Sequence, residues 1–402
     1  MSSSTPPDHY PVPGPPHRSR ADPSEPDRAA GRLAQLGWDA GWDAAARTAD
    51  TTAGPPTDVG RVADPAGPSV VLPAPGCPAP APPAPAALSP GRVVRADRGR
   101  AMVHTGSALV HAAVTDPDIT TGDWVLLDRG AVRTVLPRRT AVVRGAGRRD
   151  ARAQVLAANV DVVMLVVALT TGPNLARLDR LLTVAWGSGA QPVVVLSKAD
   201  RSATAQSERD EVADAAPGVP VLLTSVLDGR GLDELRGRLA PGRTVALLGT
   251  SGAGKSSLVN ALAGTGLMPV GRLHEDGRGR HTTVARELVV LPGLGVLVDT
   301  PGLRGVQLWE SGTATGLERT FADVEALATQ CRYSDCQHGT EPGCAVTAAV
   351  AEGRLSARRL DSYTRLRRET AWLQARYDAR LRAEQRRAWR TLAKSVRQRG
   401  HR

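Results

Sequence analysis

The chain has 402 residues, enough for two or three domains, and carries 51 Lys or Arg against 40 Asp or Glu for a net charge of +11. With a pI near 10.4 it suits a polyanionic partner such as nucleic acid. No apolar run approaches membrane-spanning length and Met1-Ser2-Ser3-Ser4 lacks a basic-then-apolar leader pattern, which predicts a cytoplasmic protein, while four cysteines, three of them between Cys331 and Cys344, argue for a metal site over a disulfide framework.

Residues 1–89 are rich in Pro, Ala, Gly and Ser, which predicts a largely unfolded N-terminal extension. One island interrupts it: Arg32-Leu33-Ala34-Gln35-Leu36-Gly37-Trp38, continuing through Trp42 and Ala46, predicts a short helix, whose two tryptophans suit docking or serve no function. Cys77, in the Pro-rich part, has no ligand type near it and reads as incidental.

Short alternating strands follow over residues 90–146. They are 92–95, 101–104, 108–110, 124–127 and 141–143, separated by turn residues such as Asp97-Arg98-Gly99. Five strands in so short a span predict an OB-type barrel, whose Arg138, Arg139 and Arg144 suit RNA or simply a solvated face.

From residue 150 the pattern changes to βαβ. Val160 to Val167 and Pro192 to Leu196 are near-continuous β-branched runs, as expected of strands buried on both faces of a parallel sheet, with helical spacing from Arg177 to Trp186 between them. The second run leads into Ser197-Lys198-Ala199-Asp200. This is the pattern of a guanine-binding motif, in which Asp200 accepts from the ring N1–H and the exocyclic amine and Lys198 lays its stem over the base. Adenine cannot make that pair. The strand 221–223 then ends at Thr224-Ser225-Val226, a loop that would present a backbone N–H to the base carbonyl.

Gly249-Thr250-Ser251-Gly252-Ala253-Gly254-Lys255-Ser256, between an apolar strand and a helix opening at Ser257, fits the phosphate loop G-x-x-x-x-G-K-S. Its glycines turn N–H groups toward phosphates, Lys255 bridges the β- and γ-phosphates and Ser256 ligates Mg²⁺. The bland alternative is a glycine-rich turn that binds nothing. Downstream, Arg280-His281-Thr282-Thr283 fits a switch segment, with Thr283 favoured over Thr282 to complete the Mg²⁺ shell. The strand 296–298 runs into Asp299-Thr300-Pro301-Gly302, a D-x-x-G motif in which Asp299 holds Mg²⁺ through water and Gly302 meets the γ-phosphate. Leu303 after it cannot orient water; His281, which adjoins the switch threonines and carries hydrogen-bonding nitrogens, is the candidate catalytic residue, the alternative being that it only caps a mobile loop. Because the base motif precedes the phosphate loop, the domain over 150–308 reads as a circularly permuted GTPase.

The segment 309–402 opens with Cys331-x4-Cys336-x-His338-x5-Cys344, a closed set for one structural Zn²⁺; simple burial of the cysteines is the alternative. From Glu352 onward sixteen Lys or Arg face five Asp or Glu, an excess equal to the whole net charge. Leu355, Leu366, Leu373, Tyr377, Leu381, Leu392 and Val396 recur at near-helical spacing, predicting one or two amphipathic helices with arginines outward.

The permuted motif order, the barrel before it and the C-C-H-C set after it resemble the RsgA (YjeQ) family, the small-subunit-dependent GTPases of bacteria. Further matches are Leu36-Gly37-Trp38, Pro90-Gly91-Arg92-Val93, Asn159-Val160-Asp161, Gly279 to Thr283 and Leu308-Trp309. Departures are the Pro-rich stretch 52–89, the arginine-rich tail and Ser197 where Asn is usual. The resemblance implies a GTP hydrolase acting in late maturation of the small (30S) ribosomal subunit, with GTP and GDP, Mg²⁺, structural zinc and 16S rRNA as ligands, and a family histidine at His281. A monomer is expected. The competing readings are an assembly factor that holds nucleotide with little turnover, and a P-loop kinase or ATPase, which Asp200 speaks against.

Overall fold

A computed structural model describes residues 31–52, 88–144, 154–264, 287–291, 293–299 and 310–375, with 379 and 383. Two short helices, α1 over 31–35 and α2 over Ala40–Thr52, precede a closed five-stranded barrel. Its strands are β1 (Ser89–Asp97), β2 (Arg100–His104), β3 (Leu109–Ala113), β4 (Trp124–Asp128) and β5 (Ala131–Val135), in the order β1-β2-β3-β5-β4. Closure comes from the parallel contact of Ala113 with Ala131 and the antiparallel pairing of β1 with β4.

The fifth barrel strand is therefore Ala131–Val135, and not the expected 141–143. That segment, β6 (Ala141–Arg144), pairs instead with β7 (Gln154–Ala158) in a separate two-stranded ribbon. The reason is visible in the sequence of β5, Ala-Val-Arg-Thr-Val, every residue of which is half-buried, so no apolar alternation announces it.

β4 is apolar on both faces because both are covered. Val125 and Leu127 join Val93, Ala101, Val103 and Ala112 inside the barrel. Trp124 and Leu126 point the other way, into a joint with Leu33, Leu36 and Trp42 of the N-terminal island and with Leu288 and Val296 of the next domain. Strand side chains alternate between faces, so this division follows from period two. The island thus docks on its own chain. Trp124 meets Trp38 edge-on at 4.8 Å and Trp42 at 6.0 Å between ring centroids. Fully buried Arg92 lies over the Trp124 ring and donates to the carbonyls of Leu36, Gly122 and Asn159, one from each of the three parts. Burial pushes its pKa down to about 10, against the opposing charges of Asp161 and Asp123, so the guanidinium keeps its proton at neutral pH.

The second sheet has six strands in the order β10-β9-β8-β11-β13-β12. Here β8 is Val162–Ala168, β9 Gln191–Ser197, β10 Val221–Leu223, β11 Thr244–Gly249, β12 Glu287–Leu291 and β13 Gly295–Asp299. All neighbours are parallel except β12 against β13. Val163, Leu165, Val194, Leu196, Ala246 and Leu248 face one core with helix α3 (Leu175–Gly187) and α4 (Ala205–Ala215). Their neighbours Val162, Met164, Val193, Val195, Val245 and Leu247 face the other, with α5 (Leu232–Arg238) and α6 (Lys255–Ala263). Burial on both faces explains the unbroken β-branched runs.

Helices α7 (Glu310–Thr320), α8 (Ala322–Ala328), α9 (Ala345–Ala351) and α10 (described over 357–375) form the last layer. Phe321, Val324, Val346, Ala349, Leu355, Tyr363 and Leu366 make its core, with Leu373 against it. That bears out the expected stripe as far as Leu373; Tyr377, Leu381, Leu392 and Val396 lie outside the described residues. α7 lies flush on α3, since a Cβ on Gly316 would collide with the Thr183 carbonyl. Asp179 of α3, wholly buried, accepts from Arg358 at 2.8 Å and Arg359 at 3.1 Å, while Arg180 forms a two-pronged pair with Glu369.

Candidate functional site

The carboxyl ends of β8, β9, β10, β11 and β13 lie along one edge of the parallel sheet, where ligands bind in open α/β folds. Each predicted nucleotide motif that the structure describes stands at one of those ends.

The phosphate loop leaves β11 at Gly249 and enters α6 at Lys255. Glycine is required at two points for different reasons. A Cβ on Gly249 would strike the Val166 carbonyl of neighbouring β8, and Gly254 caps α6 at φ 86°, in the left-handed region. Lys255 folds over its own loop, its Nζ donating to the carbonyls of Gly249 at 2.9 Å and Thr250 at 2.7 Å. Ser256 and Ser257 follow in the first turn of α6, half-buried.

The base motif closes on this loop from β9. Ser197 Oγ donates to the carbonyl of Ala253 at 2.6 Å, and Lys198 Nζ to that of Gly252 at 2.8 Å. Lys198 sits at φ 59°, a left-handed conformation uncommon for a residue with a side chain, and that twist aims its stem across the sheet edge. Asp200 follows in a 3-10 turn with its carboxylate exposed. The adjoining loop is tied to it through Ala199 N–H, which donates to the Thr224 carbonyl at 3.1 Å.

Thr224 and Ser225 are buried, and their own N–H groups are committed, to Leu196 O at 2.8 Å and Arg230 O at 3.0 Å. Ser225 Oγ accepts from Leu227 N–H and Asp228 N–H. Both residues therefore shape the loop from beneath, and a base would meet the segment starting at exposed Val226. Asp299 ends β13 opposite Glu287. His281, Thr282, Thr283 and Gly302 lie outside the described residues.

The metal candidate is separate from the sheet. One atom from each of Cys331, Cys336, His338 and Cys344 falls within 4.8 Å of the others, and all but Cys331 are buried. His338 Nδ1 is 3.7 Å from Cys331 Sγ and 3.6 Å from Cys344 Sγ. His338 adopts φ 60° to turn its ring inward. Cys344 caps α9, its sulfur accepting the Thr347 N–H at 3.5 Å. Without an ion the thiols divide protons unequally. Burial opposes ionisation of Cys344, yet the Thr347 hydroxyl and N–H, with His338, bring it down to about 6. Cys336 goes up to about 11, because burial and the bonds from Cys344 and Cys331 outweigh the favourable backbone N–H of His338. Three sulfurs and one imidazole, with no position left over, suit a tetrahedral ion that organises the fold.

Comparison with known proteins agrees with this arrangement. A family model described as RsgA GTPase matches residues 135–309. The chain is 50% identical over 317 residues to the small ribosomal subunit biogenesis GTPase RsgA of Streptomyces avermitilis, covering 75% of this chain and 85% of that protein. Against the protein of the same name from Streptomyces coelicolor it is 49% identical over 312 residues, 74% and 84% of the two chains. Among solved structures, YjeQ from Thermotoga maritima superposes with a TM-score of 0.55 at 25% identity, covering 71% of this chain and 99% of that one. YloQ, described as a circularly permuted GTPase, superposes at 0.52 and 22% identity over 73% and 97%, a likeness of fold.

Proposed function

The chain belongs to the RsgA GTPase family, and from that premise we propose that it hydrolyses GTP while bound to the small ribosomal subunit during that subunit's late maturation. The observation that carries the reading is the pair of bonds from Ser197 and Lys198 to the carbonyls of Ala253 and Gly252. They join a guanine-type motif and a phosphate loop, 54 to 56 residues apart in sequence, into one nucleotide site.

In this reading Asp200 selects guanine, and Lys198 and the loop after Ser225 hold the base. Residues 249–257 hold the phosphates, with Thr282, Thr283 and Gly302 closing over the γ-phosphate. Ser256 and Thr283 would hold Mg²⁺, with Asp299 acting through water, and the ion would supply positive charge against the phosphates. His281 positions the attacking water, since Leu303 cannot. Zinc on Cys331, Cys336, His338 and Cys344 is structural. The barrel, zinc module and basic C-terminal helices contact 16S rRNA, and the protein acts as a cytoplasmic monomer. No helix among the described residues is long and apolar enough to cross a membrane.

The test is turnover of GTP with and without purified small subunits. Stimulation of a slow intrinsic rate, on the order of 10⁻⁴ to 10⁻² s⁻¹ as for unassisted GTPases, is the expected result. His281→Ala should keep nucleotide and subunit binding and lose most of the stimulation. A rate unaffected by subunits would remove the functional reading.

A further inference from the structure

Between β8 and the phosphate loop lies a cavity of about 230 Å³. One wall is the turn after β8, with Thr170, Thr171 and Asn174, followed by Arg177 in the first turn of α3; the other is Thr250 to Ala253 of the phosphate loop. At roughly 30 Å³ of liquid volume per water, the space admits a phosphoryl oxygen with several solvent molecules. Its lining is neutral except for Arg177.

The partners of the neighbouring cations make Arg177 distinctive. Lys198 donates to Gly252 O, Lys255 to Gly249 O and Thr250 O, and Arg180 to Glu369. Arg177 makes no ion pair among the described residues and its side chain is exposed. Its backbone is nonetheless fixed. Asn174 caps the helix by accepting the Arg177 N–H at 3.0 Å, and one turn further on Asp179 and Arg180 are clasped by Arg358, Arg359 and Glu369. An unpaired guanidinium on a pinned backbone, across a small cavity from a phosphate loop, is an arrangement for meeting anionic charge.

We propose that Arg177 is a cation of the phosphate site, supplied by the chain itself, that reaches across this cavity to the γ-phosphate of a nucleotide held at Thr250 to Gly252, with its reach set by the clasp of the C-terminal module on α3. The inference rests on the GTPase reading. In hydrolysis a water oxygen bonds to the γ-phosphorus, the bond from that phosphorus to the β,γ-bridging oxygen breaks, and the electron pair stays on GDP. The water's proton goes to solvent or to inorganic phosphate. A guanidinium beside the γ-phosphate stabilises charge through that exchange, and a diphosphate lacks the group it meets.

The full-length protein, Arg177→Ala and Arg177→Lys should be compared for GDP and GTPγS affinity and for GTP turnover. Arg177→Ala is expected to weaken GTPγS binding about tenfold and to lower kcat by about 10²-fold, with GDP affinity within twofold of wild type; Arg177→Lys, which keeps the charge, should recover part of both. An unchanged ratio of GTPγS to GDP affinity in Arg177→Ala would overturn the proposal, whatever the turnover, and make Arg177 a solvated arginine. Equal losses of GDP and GTPγS affinity in Arg177→Ala and Arg177→Lys would also overturn it, by marking damage to the loop. Wild-type protein that binds GTPγS and GDP but fails to turn GTP over would instead count against the functional reading, since the binding ratio still decides Arg177.

Discussion

Ser197 and Ala253 are 56 residues apart in the chain, and the hydroxyl of the first donates to the carbonyl of the second at 2.6 Å. An amide side chain is usual where Ser197 stands, and the shorter hydroxyl still spans the distance because β9 and β11 are separated only by β8. Ser197→Ala should therefore loosen the loop. A neutral hydrogen bond contributes about 1 kcal/mol, so GTP and GDP affinity should each fall by roughly three- to tenfold, read by fluorescence titration, with guanine selectivity kept. Unchanged affinity would mean the bond does not support the bound state.

Asp200 is expected to govern base choice. A carboxylate accepts two N–H donors from guanine, and an amide at that position would oppose one donor with another and leave it unpaired. Asp200→Asn should lower GTP affinity by 10²-fold or so while barely altering binding of ATP, and should raise affinity for xanthosine triphosphate, whose extra carbonyl matches the amide. Competition binding with the three nucleotides checks this; retained GTP preference would remove Asp200 from the base site.

The Cys331, Cys336, His338 and Cys344 cluster should hold one zinc per chain, and Cys336→Ser should lose it, as read by elemental analysis. Loading must displace the proton that Cys336, at about 11, retains at neutral pH. Zinc affinity should therefore fall as pH drops from 8 to 6, and calorimetry in two buffers of different ionisation enthalpy should show proton release. Metal content unaffected by Cys336→Ser would refute the assignment.

Arg359 is nearly buried and serves Asp179, Asp323, Ala215 O and Thr320 O while lying over Phe321. Removing it strands the fully buried Asp179 carboxylate with one half-exposed partner, Arg358. Breaking a buried pair from one side costs about 3–5 kcal/mol, so Arg359→Met should sharply lower the urea midpoint for the C-terminal module. Arg180→Ala, in a part-exposed pair, should cost at most about 1 kcal/mol. Equal effects of the two would show that burial is not what makes the clasp strong.

The sequence by itself determined the parts whose chemistry is local. A phosphate loop needs its glycines and lysine within eight residues, and zinc needs three thiolates and an imidazole within fourteen, so both stand complete in the string from Gly249 to Ser256 and from Cys331 to Cys344. The runs of β8, β9 and β11 were equally legible, because burial on both faces leaves no polar alternation. Tertiary structure decided what depends on neighbours distant in sequence. β5 is a barrel strand although its pattern is mute, since closure of the sheet recruits it between β3 and β4; β6 lies outside the barrel, its hydrogen bonds taken up by β7. Trp42 is buried and Trp38 half-buried in a joint that no periodicity predicts, and Thr224 and Ser225 turn their N–H groups inward. Arg177 looks in sequence like any arginine on a helix face. Its position across a cavity from Thr250 to Ala253 exists only because the parallel sheet sets β8 beside β11, and residues more than seventy apart become neighbours only when that sheet forms.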